Sequence, residues 1–175
     1  PAGVSERYMS GQVSGAEHAF HLLENALDYV LSAAEHAAKG TPRDLKYAVL
    51  HVDAGVELLL KARLQQEHWA LLFADVNQSS KGSLESGDFK SVDLDTTVAR
   101  LAGIAGVGLD SGSLKVIRGL RAVRNKIQHF GATINAAQAQ SHVGQVANLV
   151  MEFVKVHLPE LRESHAFRLE DIRTA

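Results

Sequence analysis

The chain has no cysteine. That excludes a disulfide framework and a thiolate zinc site, and it fits a reducing cytosol, the compartment expected here. No apolar run approaches the roughly 20 residues that span a bilayer, so no membrane role is expected. The opening residues, Pro1-Ala2-Gly3-Val4-Ser5-Glu6-Arg7, lack the apolar stretch of a signal peptide. Gly103, Gly106 and Gly108 do not form a phosphate-binding Walker loop, and neither Gly-x-Ser-x-Gly nor His-Glu-x-x-His occurs. The net charge is only -2, so any nucleic-acid binding has to come from a local patch. Internal repeats and convincing strand patterns are also absent.

What remains is a single-domain length of 175 residues with 46% hydrophobic content, enough for a real core. Residues 1–14 are rich in Gly and Ser and read as a loose segment. Helical spacing of Phe20, Leu23, Leu27, Val30 and Leu31 predicts a first helix from about Ala16 to Ala38, ended by Gly40. Thr41-Pro42 opens a second helix with Thr41 as N-cap and Pro42 at the first position. Its broad apolar face (Val49, Val52, Val56, Leu59, Leu60, Leu64) marks a central core helix extending toward Phe73. Asn77 to Asp93 reads as a loop, and Asp95 to Ile104 as a short helix. A fourth segment, Ser113 to Phe130, is capped by Asp110 or Ser111 and stopped by Gly131. A last helix spans Ala136 to His157, and Pro159 follows. Residues 15–158 form the expected domain, and 159–175 read as a charged, exposed tail. The predicted class is all-α, an up-down bundle of four main helices plus a short extra one.

The segment Ser113 to Phe130 carries Lys115, Arg118, Arg121, Arg124 and Lys126 and no Asp or Glu. At about 100° per residue, Val116, Leu120, Val123, Ile127 and Phe130 share one face. The cations fall on the other, with Asn125, Gln128 and His129. Solvated helix faces ordinarily mix charge signs for i,i+4 support, and this one does not. A one-signed face of this kind suits an anionic ligand such as a phosphate backbone. Asn125 and His129 are i,i+4 neighbours, so the amide can reach and orient the ring.

Arg124-Asn125-Lys126-Ile127-Gln128-His129, in the penultimate helix of a small helical domain, resembles the Arg-x4–6-His motif of the HEPN family, the higher eukaryote and prokaryote nucleotide-binding domains. Ala54-Gly55-Val56-Glu57-Leu58-Leu59-Leu60-Lys61-Ala62-Arg63-Leu64 also resembles the leucine-rich central helix of many members. The likeness covers about Ala16 to His157. It implies a metal-independent, cofactor-free endoribonuclease, toxin or defence related, working as a homodimer with the two motif helices facing across a cleft. The 2'-hydroxyl of RNA loses a proton as it attacks the adjacent phosphate, and the leaving 5'-oxygen gains one. An imidazole serves either step, and a guanidinium matches the charged phosphorane. His129 is thus expected as general base or acid, Arg124 as phosphate and transition-state stabiliser, and Asn125 as orienter of His129 or phosphate ligand. Arg118, Arg121 and Lys126 would gather the RNA backbone, and Gln128 would contact a groove. Arg124 and His129 lie about 140° apart on one helix, which favours a composite site built from two copies. Some HEPN toxins carry a Tyr soon after the His. Here Phe130-Gly131-Ala132 follows, which argues against the subfamily regulated through that Tyr.

Other candidates are weaker. His18 and His21, with Glu17, have ligand-like spacing on one helix but no second cluster, and no metal site is expected. His51, with Asp53 and Glu57 on the same helix, can approach the motif helix. Glu57 lies in a very apolar run and needs a partner if buried. Arg121 or Arg124 would make it a support of the site, whereas Lys61 at i+4 would leave it on an exposed edge. Trp69 and Phe73 read as packing residues. The rival functional reading is a non-catalytic HEPN-like module that binds RNA, nucleotide or a protein such as a nucleotidyltransferase or antitoxin. A third is an oligomerisation domain whose basic face meets an acidic partner.

Overall fold

Gly40 and Thr41-Pro42 fold the first two helices back on each other in a computed structural model described for residues 21–131, 133, 135–159 and 166–174. Helix α1 (Leu22–Lys39) ends at Gly40, whose φ of 68° closes the last turn onto the His36 carbonyl. Helix α2 (Pro42–Glu67) starts where the Thr41 hydroxyl accepts from the Asp44 amide, as its sequence predicts. The expected start of α1 near Ala16 and Phe20 lies outside the described residues, as do residues 1–14 and the Glu17–His18 end of the histidine pair.

Helix α2 stops at Glu67, short of Phe73. His68 is extended, and its ring Nδ1 accepts from the Ala70 amide at 3.2 Å, restarting the chain as a 3-10 turn over Trp69–Leu72. The predicted loop holds a second 3-10 turn (Val76–Gln78) and a six-residue helix, α3 (Lys81–Ser86), capped by Ser80 and ended by Gly87. Arg100 ties this region down by donating to the Leu71, Phe73 and Ala74 carbonyls. Phe73 is buried and stacks on Phe89 at 4.1 Å, so the packing role expected for it holds.

Helix α4 (Leu94–Gly103) is capped by Asp93, and α5 (Ser111–His129) by Asp110, whose carboxylate accepts from the Gly112 and Ser113 amides. Helix α6 (Ala136–His157) has the predicted bounds, with Asn135 as cap. The tail differs from its expectation. Ala166–Thr174 forms α7, and Leu169 and Ile172, three residues apart, are buried in the common core. Residues 160–165 and 175 lie outside the described part.

The described chain is thus all-α. The long helices α1, α2, α5 and α6 build the core, α2 lies at its centre against α1, α4, α5 and α6, and α7 packs on α1 and α6. Leu27, Val52, Leu59, Leu60, Leu120 and Val150 are almost wholly excluded from water. Among the described residues, no helix is long and apolar enough to cross a membrane.

The α1–α2 seam is closest at Gly55. A Cβ there would lie 2.7 Å from Val30 Cγ2 and 3.0 Å from the Ala26 carbonyl oxygen, and the backbone cannot give way cheaply. Gly55→Ala should therefore lower stability by about 1–3 kcal/mol in urea unfolding. Gly144→Ala on α6, where a Cβ meets nothing within 4 Å, should raise it by about 0.5–1 kcal/mol. Equal midpoints for Gly55→Ala and the wild type would contradict this packing.

Candidate functional site

Helix α5 rests on the bundle through buried Ile117 and Leu120, with Val116, Val123 and Ile127 half-buried. Phe130 departs from the expected apolar face and is 85% exposed. The helix ends at His129, and Phe130 has φ -129° and ψ -5°, so the helical period no longer aims its ring inward.

The segment has no acid of its own, but other helices supply them. Arg121 faces α2, where its guanidinium donates to the Glu57 carboxylate and its Nε lies 3.4 Å from Asp53 Oδ1. Arg124 Nε lies 3.4 Å from Asp53 Oδ2. Arg118 reaches Asp95 on α4 at 3.1 Å, fully at the surface. Glu57 also accepts from Lys61 at 2.7 Å, and Lys61 donates on to Ser91 Oγ at 3.1 Å. Glu57 therefore supports α5 through Arg121; it also pairs with Lys61, but not on an exposed edge, because Lys61 is buried and Glu57 half-buried. Lys115 and Lys126 carry no ion pair among the described residues.

Asn125 does not engage His129. Its Oδ1 accepts from Arg124 Nη1 at 2.9 Å, so the amide and Asp53 together orient the guanidinium. Arg124 Nη2 has no partner among the described residues. His129 is exposed at the helix end, with the Phe130 ring beside it, 6.1 Å between centroids. Arg124 and Gln128 instead line an open cleft of about 540 Å³ between α1, α2 and α5, together with Asn25, Tyr29, His51 and Asp53. A single chain thus separates the arginine and imidazole of the motif into two environments.

Burial pushes the Asp53 carboxyl above its ordinary value, and the charges of Arg121 and Arg124 offset that only in part. Burial also acts on Glu57, but hydrogen bonds from Lys61 and Arg121 outweigh it and hold the group below the usual carboxylate value. The reverse holds for Arg121, whose basicity Asp53 and Glu57 raise against the cost of burial. In the cleft wall, burial and then the nearby His36 charge hold His51 below the ordinary imidazole value. His51 Nδ1 bonds Ser32 Oγ at 3.0 Å.

Neither Asn25 nor Tyr29 stands out in the sequence, because each looks like an ordinary position on a core helix. Asp53 is visible only as a neighbour of Glu57, since its two arginine partners lie about 70 residues away. Among the described residues, no group of His, Asp and Glu could hold a metal ion. No family model, curated protein or solved structure matches the chain.

Two outcomes are expected. Asp53→Ala strips both guanidiniums of their shared buried partner and should cost about 1–3 kcal/mol in urea unfolding, whereas Arg118→Ala, which breaks an exposed pair, should stay within about 0.5 kcal/mol. His51 binds fewer protons in the folded protein than in the unfolded chain, so its contribution to stability is lost as pH falls through 6.5. His51→Gln should therefore flatten the loss of stability between about pH 7.5 and pH 5.5, read from urea midpoints. An unchanged slope would contradict the buried, neutral imidazole.

Proposed function

We propose that the chain is a HEPN-like, metal-independent endoribonuclease, of toxin or defence type and cytoplasmic, whose site is completed by a second copy of itself. The observation that carries this reading is the end of α5: His129 has no hydrogen-bonding partner among the described residues and lies beside the exposed ring of Phe130. In this reading the second copy covers that ring. Five residues earlier, Arg124 is already fixed by Asp53 and Asn125, and its Nη2 has no partner among the described residues. Pre-orientation of that kind lets a guanidinium meet developing phosphorane charge without reorganising.

In this reading Arg124 of one copy and His129 of the other meet at the scissile phosphate. His129 takes the proton from the 2'-hydroxyl as that oxygen attacks phosphorus, or returns one to the departing 5'-oxygen. The products are a 2',3'-cyclic phosphate and a free 5'-hydroxyl. Lys126 and Lys115, which carry no ion pair among the described residues, supply backbone attraction. Arg118 and Arg121 contribute less than their number suggests, because their charges are already matched by Asp95, Asp53 and Glu57.

That matching favours a second reading. A face whose arginines are internally paired also suits a non-catalytic module that binds nucleotide or a protein partner such as an antitoxin or nucleotidyltransferase. Incubating the purified protein with single-stranded RNA and EDTA separates the two. The nuclease reading expects chelator-resistant cleavage leaving a 2',3'-cyclic phosphate, reduced about 10²–10⁴-fold in His129→Ala and strongly in Arg124→Ala. If RNA stays intact with wild type and both variants while wild type still binds it, the module reading prevails.

A further inference from the structure

The cleft between α1, α2 and α5 has a chemistry that backbone phosphate does not explain. Its volume of about 540 Å³ lies within the range of small-molecule sites, roughly 300–1,000 Å³. Its lining includes the carboxylates of Asp53 and Glu57, which repel an anion. Each ionised carboxylate oxygen has two acceptor positions, so pairing with arginine does not exhaust them. Among the described residues Arg124 is the one arginine or lysine on the lining, and its Nη2 has no partner there. On the walls the side-chain amides of Asn25 (α1) and Gln128 (α5) and the Tyr29 hydroxyl make no hydrogen bond to any described residue. Tyr29 and His51 stand edge to face with centroids 5.5 Å apart, so two aromatic rings contribute to the lining. A planar group with mixed donor and acceptor edges fits this lining, its donors toward the carboxylates and its attached phosphate at the arginine.

We propose that this cleft is a nucleobase pocket, selective for a base with an exocyclic amino group, that seats the nucleotide whose phosphate lies on Arg124. The pocket rests on the RNA-cleaving reading for its role, but its binding chemistry stands apart from it. Tyr29 offers the stacking face, Asn25 and Gln128 read the base edge, and Asp53 with Glu57 accepts from the amino group. Uracil, which has a carbonyl where cytosine has the amine, meets those carboxylates oxygen to oxygen and is disfavoured.

The probes are 5'-AMP, 5'-CMP and 5'-UMP, titrated into the full chain and followed by NMR shifts. Expected are shifts at Asn25, Tyr29 and Gln128, with 5'-AMP and 5'-CMP binding about fivefold or more tighter than 5'-UMP. Gln128→Ala, an exposed side chain whose loss leaves the core intact, should weaken 5'-CMP and narrow its margin over 5'-UMP, and Tyr29→Ala should weaken all three. Shifts confined to other surfaces, no binding at all, or equal affinities unaltered by both variants would overturn the pocket. Nucleotide binding in the cleft without RNA cleavage would sink the nuclease reading and leave the pocket standing. Chelator-resistant cleavage indifferent to Gln128→Ala and Tyr29→Ala, with no preference among bases, would do the reverse.

Discussion

Two carboxylates on α2 hold two guanidiniums on α5, and the rest of the molecule's functional surface is arranged around that contact. Asp53 is almost entirely buried, and an uncompensated buried carboxylate costs several kcal/mol. Arg121 bridges Asp53 and Glu57, while Arg124 takes the other oxygen of Asp53. These pairs fix the rotation of α5 about its own axis more narrowly than its few fully buried apolar residues could. They also account for an acid and a lysine in the middle of a leucine-rich helix: Glu57 and Lys61 satisfy each other and connect α5 to the segment at Ser91.

The rotation so fixed has a direct consequence. Arg124 turns toward α2 and the cleft, and Gln128, one turn on, follows it. His129 is then carried to another side of the helix, about 140° from Arg124. Phe130, beyond the last helical turn, is left in water. An arginine held inward and an imidazole turned outward do not make one site within one chain. The site proposed above answers this with a second copy, which would cover the exposed ring and bring its imidazole toward the fixed guanidinium.

The long helices were legible because their apolar periods, glycine stops and capping residues agree: Gly40, Thr41-Pro42 and Asp110 act as their sequence contexts imply. Helix α3 was not, since six residues carry no period, and α7 was hidden by the charges around Leu169 and Ile172. The Arg124-to-His129 segment stood out through its one-signed charge. The partners that neutralise it could not be seen, because Asp53, Glu57 and Asp95 come from other helices and only folding brings them near. For the same reason the cleft residues Asn25 and Tyr29 carry no signal of their own, and the i,i+4 spacing assigns Asn125 to His129 whereas its amide bonds Arg124.

The composite site is tested most directly by mixing two inactive proteins. Arg124→Ala and His129→Ala are unfolded together, refolded together and assayed on single-stranded RNA in EDTA. A site built across two copies predicts that activity returns, to about one site in four, because half of the dimers are mixed and each mixed dimer holds one intact pair. Activity that stays at the level of the separate variants, when wild type carried through the same procedure recovers fully, would contradict the account.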